Sequence, residues 1–206
     1  MLEIIDKSIL SAIFVSTITH DDPIEIVKNR THLSESIINE KIEGLKKNDL
    51  VQNEKLALTE LGRTSLRVVL AGGVFDIIHP GHIHTLNAAK ALGDVLVVVV
   101  ATDSTAEKMK KRTPLHKQDQ RRDLVKSLSM VDLCVIGHEV DIFKTVEMIK
   151  PEIIALGYDQ VHQEKSITDG CKKINLDVKV ARLQSPVPEI SSSEIEKEYG
   201  EAIHDI

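Results

Sequence analysis

Two hydrophobic periods divide this chain. Up to about residue 65, apolar side chains recur at helical spacing. Leu2, Ile5, Ile9, Leu10, Ile13 and Phe14 share one face, Asp21-Asp22-Pro23 opens a second helix through Val27, and Ser34 precedes a third carrying Ile37, Ile38, Ile42, Leu45 and Leu50. Leu50-Val51-Gln52 and Leu56-Ala57-Leu58 read as two short strands around Asn53-Glu54-Lys55. From Arg67 the period changes, and short continuous apolar runs alternate with helical stretches. Strands are predicted at Val68 to Ala71, Val95 to Ala101, Leu133 to Ile136, Ile153 to Leu156 and Val178 to Ala181. Helices are predicted over 82–92, 104–111, 118–129, 141–149 and 162–174. Strands that are apolar on both faces and separated by helices form a parallel sheet. The chain therefore reads as an α/β protein of two domains, 1–65 and 66–206.

Open parallel sheets bind ligands beyond the carboxyl ends of their strands. That rule gathers Gly72 to His82, Thr102-Asp103, Gly137-His138, Gly157-Tyr158-Asp159 and the segment after Arg182 around one crevice. The richest of these stretches is RVVLAGGVFDIIHPGHIHTL, from Arg67 to Leu86. It reads as a buried strand, a glycine turn, and a helix whose first turn carries His79 and His82. A helix N-terminus has unpaired N–H groups and the positive end of the helix dipole, so it attracts phosphate. Two imidazoles add donors at that spot. Capping or core packing is the alternative for a lone histidine. The Gly72-Gly73 turn, Phe75-Asp76 and His-Pro-Gly-His together favour phosphate. Neither a G-x-G-x-x-G fingerprint nor a Walker loop is present, so hydride transfer and P-loop hydrolysis are not indicated.

Composition narrows the setting. The 206 residues are 42% hydrophobic and 28% charged, with net charge −6. Two cysteines, Cys134 and Cys171, sit in apolar or helical contexts without metal-ligand spacing, which points to a reducing compartment. The longest apolar run, Val95 to Ala101, is too short to span a bilayer, and the first residues lack a basic flank and apolar block. A cytoplasmic protein without membrane contact is expected. Three helices and a small hairpin resemble a winged helix-turn-helix, including the L-T-x-L-G-R stretch from Leu58 to Arg63. DNA contact needs a basic face, yet residues 1–65 carry eight basic against eleven acidic side chains. Structural, dimerising or regulatory roles rank ahead of nucleic-acid binding there, with a homodimer left open.

The string Gly73-Val74-Phe75-Asp76-Ile77-Ile78-His79-Pro80-Gly81-His82 resembles the G-x-F-D-x-x-H-x-G-H signature of the cytidylyltransferase-like nucleotidyltransferases. Within that superfamily, the run from Arg67 to about Ile195 most resembles the archaeal FAD synthetases, which transfer AMP from ATP to FMN. The resemblance implies a Rossmann-like domain in which Gly72, Gly73, Val74, Phe75, Asp76, His79 and His82 line the nucleotide. It matches Gly157 and Asp159 to a G-x-D element of the same pocket. It matches Ser191, Ser192 and Ser193, within Ile190 to Ile195, to a stretch that cradles the β- and γ-phosphates.

Lys108, Lys110, Lys111, Arg112, Lys117, Arg121 and Arg122 form a basic segment with Asp119 as its only acid. The resemblance brings a lysine and an arginine of such a segment to the triphosphate, so that Lys117 and Arg121 join His79 and His82, which would donate to the α-phosphate, as the catalytic candidates. Asp76, Asp103, Lys110 and Arg182 are the acceptor-side candidates. Mg²⁺ would ride on the nucleotide, since no dense carboxylate cage is visible. Two other readings stand beside FAD synthesis. One is a CTP-dependent transferase acting on glycerol phosphate or a similar alcohol phosphate. The other is a nucleotide-sensing DNA-binding regulator. With two Tyr and three Phe in the chain, aromatic partners for a flavin ring are few.

Overall fold

A computed structural model describes residues 2–157 and 163–184. The chain forms two compact units, Met1–Arg67 and Val68–Ile206. The first contains α1 (Ile4–Thr19), α2 (Pro23–Thr31), α3 (Glu35–Lys47) and a short α4 (Glu60–Thr64). Asp22 caps α2 by accepting from the Ile24 amide at 2.9 Å, with Pro23 at the first helical position, where its fixed φ suits the helix. Ile9, Leu10, Ile13, Val27, Ile38 and Leu45 form the buried interior of this unit. The two short strands expected after α3 reduce to one antiparallel bridge, Val51 with Leu58. The amides of Gln52 and Thr59 donate to the Ala57 and Leu50 carbonyls on either side of it, and the Ala57 amide turns to the Lys55 carbonyl at 2.8 Å, which ends the ladder there.

The second unit is an α/β layer structure. Its strands are β1 (Val68–Gly73), β2 (Val95–Val100), β3 (Leu133–Ile136), β4 (Ile153–Leu156) and β5 (Lys179–Arg182). All pair in parallel, in the order β3-β2-β1-β4-β5. The chain winds outward from β1 to β3 and then returns to the other side of β1, so the switch point lies between β1 and β4. Every residue of β2 is buried, as a strand covered on both faces requires. The interleaved helices are α5 (Pro80–Lys90), α6 (Asp103–Lys110), α7 (Gln118–Lys126), α8 (Ile142–Ile149) and α9 (Glu164–Lys173). Helix α5 starts two residues earlier than its apolar pattern suggests, because Pro80 takes the first helical position behind His79.

Side chains alternate across the sheet. Val69, Ala71, Val98, Val100 and Ala155 join Phe75, Leu86, Ala89 and Val125 in a core on one face. Leu70, Val99 and Ile154 serve the other face. Cys134 and Cys171 are free and buried, and burial pushes the Cys134 thiol up to about 12, so it stays protonated and inert. No described helix is long and apolar enough to cross a membrane.

Candidate active site

The site starts where β1 runs out. Beyond Gly73 the chain turns through Phe75, which is buried with φ at 53°, a left-handed conformation a bulky residue adopts only when its surroundings compel it. A Cβ on Gly73 would stand 2.9 Å from the Phe75 ring, so glycine is what admits that ring. The ring in turn packs on His82, with centroids 5.1 Å apart.

His79 is the N-cap residue of α5, and His82 lies in the helix's first turn. Their rings stack at 3.9 Å between centroids, and both Nδ1 atoms are buried without a hydrogen-bond partner. Burial, His79 and Lys110 push the His82 pKa down to about 4. Burial and Lys110 lower that of His79. Both rings are therefore neutral near pH 7. A neutral imidazole keeps one N–H donor, and it can take up a proton when negative charge arrives. The pair is a polar feature without protein partners at a helix N-terminus, with the Lys110 charge acting on it.

Asp76 behaves in the opposite way. It is 1% exposed. Its Oδ2 accepts from Arg112 Nη1 at 2.9 Å and from the Leu115 amide at 3.1 Å, while Oδ1 accepts from the His116 amide at 3.0 Å. The His116 ring also meets the Asp76 carbonyl at 2.9 Å. Burial acts to raise the Asp76 pKa, and the amides of His116 and Leu115 with Arg112 outweigh it and hold the carboxyl below its usual range. Asp76 thus fastens the 112–116 loop to the β1 turn, and both of its oxygens are taken. Asp76 was expected at the nucleotide and acceptor, and here its partners are Arg112 and the amides of Leu115 and His116.

Arg121 is likewise held by the protein. It is fully buried, and all three guanidinium nitrogens donate to protein oxygens. Nε reaches the His116 carbonyl at 3.0 Å, Nη1 the Val74 carbonyl at 2.7 Å and Nη2 Asp103 Oδ1 at 2.7 Å. It joins the β1 turn, the 112–116 loop and the start of α6. Val74 and Asp103, expected at nucleotide and acceptor, are its partners. Arg112 and His116 were missed as members of the site, because their link to Asp76 spans 36 and 40 residues of sequence.

Across Gly72 and Gly73 lies a cavity of about 340 Å³. It brings together Thr102, Gly137 and His138, as the switch-point rule anticipates, and adds the apolar Val99, Met109 and Ile154.

With this geometry in place, the comparisons with known proteins can be weighed. A family model described as cytidylyltransferase-like matches residues 70–198, more than half of the chain. The chain belongs to the cytidylyltransferase-like family. Its similar curated proteins include the FAD synthase of Aciduliprofundum boonei, 53% identical over 116 residues, which are 56% of this chain and 77% of that protein. The FAD synthase of Picrophilus torridus is 48% identical over 125 residues, 61% of this chain and 89% of that protein. Among solved structures, the lipopolysaccharide core biosynthesis protein from Thermoplasma volcanium GSS1 aligns with TM-score 0.56 and 45% identity, over 58% of this chain and 98% of that one. Residues 1–69 lie outside the family match.

The remaining cytidylyltransferase-like site candidates fall in different places. Lys110 ends α6 and acts electrostatically on both histidines. Lys117 is exposed at the N-cap of α7. Arg182 ends the edge strand β5 and pairs with Glu164 at 2.6 Å. Gly157 directly follows β4. Asp159, Ser191, Ser192 and Ser193 lie outside the described residues. Among the described residues, no cluster of three or more His, Cys, Asp or Glu side chains could hold a metal ion.

Proposed function

We propose that this chain transfers AMP from ATP to FMN, giving FAD and pyrophosphate. The observation that carries this reading is its likeness to the FAD synthases, 45–53% identical and matched over 77–95% of their length. Chemically, an FMN phosphate oxygen attacks the α-phosphorus of ATP. A new P–O bond forms while the bond to the bridging oxygen breaks, and pyrophosphate leaves with the electron pair. FMN phosphate is already anionic, so no strong general base is needed; positioning and charge stabilisation carry the rate.

The partnerless, neutral imidazoles of His79 and His82 support a role as donors to the α-phosphate. Lys110 supplies charge beside them. Lys117 and the serines Ser191 to Ser193 remain candidates for the departing pyrophosphate, and Asp159 for the nucleotide base. The described residues offer no metal cage, so Mg²⁺ would enter with the triphosphate, held by nucleotide oxygens and water.

The apolar cavity beside the turn favours FMN over glycerol phosphate, which has little apolar surface to bury. In the first unit, Lys41 pairs with Glu3 and Lys46 with Glu43, both at 2.7 Å, so α3 presents neutralised pairs where a phosphate-reading helix needs open cations. That supports a structural or regulatory role over DNA binding. ATP or CTP incubated with FMN and with glycerol phosphate, followed by product mass and pyrophosphate release, tests the reading. FAD from ATP and FMN is the expected product, and a cytidylylated alcohol phosphate would replace the proposal with its rival.

A further inference from the structure

The cavity across the Gly72-Gly73 turn has a chemistry that phosphoryl transfer alone does not use. Its sheet side is Leu70, Val99 and Ile154, and its helical sides include Met109 of α6, Ile142 of α8 and Ile167 of α9. A volume of about 340 Å³ falls in the range of small-molecule sites, which pair apolar walls with few placed polar groups. No Phe, Tyr or Trp is among the described residues lining it, so a flat ring seated there packs on aliphatic side chains.

The polar side chains of the lining are Thr102, Thr105, His138, Glu139 and Gln163, and His138, exposed at the cavity's rim, is the one whose hydrogen bonds leave a defined ring donor. Its Nδ1 accepts from the amides of Val140 at 3.2 Å and Asp141 at 3.3 Å. A neutral His138 ring therefore carries its proton on Nε2 and has one donor left for a ligand. Its own amide donates to Thr145 Oγ1 at 3.0 Å, and Thr145 is buried, so the start of α8 fixes where the residue stands.

We propose that this cavity takes the tricyclic ring of the flavin acceptor and that His138 Nε2–H donates to the ring's carbonyl edge, which makes His138 a residue that sets acceptor choice. This rests on the reading of the chain as an FMN adenylyltransferase. An isoalloxazine has broad apolar faces and an edge rich in hydrogen-bond acceptors, and the cavity offers apolar walls and a fixed donor. Gly72 and Gly73 line the cavity and belong to the same turn that leads, through the Phe75 ring packed on Gly73, to His82, so a ring held in the cavity lies on the strand end from which the histidine turn departs.

The test uses the full chain and three variants. His138→Asn places an oxygen where Nδ1 stood, preserving the bonds from Val140 and Asp141, but cannot reach the Nε2 position. His138→Gln reaches that position. Ile142→Trp fills the cavity from a side chain that is 47% exposed, so the larger ring is tolerated at the surface. Flavin fluorescence quenching without ATP gives the Kd for FMN, and pyrophosphate release gives KM for FMN and for ATP separately. His138→Asn and Ile142→Trp are expected to weaken FMN about tenfold while the KM for ATP stays within about twofold, and His138→Gln to recover part of the loss. A wild-type protein that makes FAD while both variants keep their FMN affinity overturns the proposal alone. So does a rise in the KM for ATP instead, which would put the nucleotide base in the cavity. A wild-type protein that neither makes FAD nor quenches flavin fluorescence removes the FMN reading, and this inference with it.

Discussion

Two halves of one ten-residue motif behave differently. From Val74 to Asp76 every polar group discussed is satisfied inside the protein: the Val74 carbonyl by Arg121, and the Asp76 carboxylate by Arg112 and two amides. Three to six residues beyond Asp76, His79 and His82 leave both Nδ1 atoms buried without a partner. Buried polar groups are normally paired, since an unmade hydrogen bond costs about 1–3 kcal/mol. The contrast separates jobs that the motif alone runs together. Saturated groups build the turn, and the unsaturated pair is the part we propose to meet the phosphates.

Replacing one residue from each half tests that division. His82→Ala is expected to lower turnover by about two to three orders of magnitude, the range for loss of one preorganised donor, while leaving the fold in place. Stability falls only by the packing the ring makes with Phe75 and His79, since its Nδ1 has no hydrogen bond to lose. Pyrophosphate release, with circular dichroism as the control, reads both effects; a variant with full turnover would remove the histidine from the chemistry. Asp76→Ala should do the reverse. It strands Arg112 and two amides in a buried site, so it is expected to cost about 3 kcal/mol, read as a lowered urea midpoint. Turnover falls only as far as the 112–116 loop shifts. An unchanged midpoint would mean that Asp76 is not the fastening point.

The difference between the halves also explains what was legible in the sequence. Strands β1 to β4 stand where the apolar runs put them, and α5 starts at its proline, because burial on both faces and helix-start chemistry are local signals. His79 and His82 were legible for the same reason, as neighbours of a glycine turn. Arg121 was misread. A basic residue in a basic segment looks like a phosphate ligand, and its burial depends on Val74, 47 residues away, and on Asp103. The short strands near Val51 failed on a smaller scale, where the Ala57 amide bonds within the turn, to Lys55, instead of across the pair. The cavity's position followed from the switch-point rule, but its aliphatic walls come from six separate elements that no single window of sequence contains.

The smallest effect, and the most direct reading of the contrast, is a titration. In the free protein His82 has a pKa of about 4, below its ordinary value near 6.5, with burial as the main cause. Between those values the unfolded chain holds more protons than the folded one, so this residue's contribution to stability is complete above about pH 6.5 and is lost as pH falls toward 4. A triphosphate placed against the pair supplies negative charge that favours the imidazolium and so raises this pKa. The His82 ring resonance, followed by NMR with and without a non-hydrolysable ATP analogue, should therefore titrate at higher pH in the complex. Asp76, already held below the usual carboxylate range by its own protein partners, should stay ionised in both states. If the His82 titration does not move when the analogue binds, the imidazole pair does not face the phosphates, and the partnerless nitrogens need another ligand.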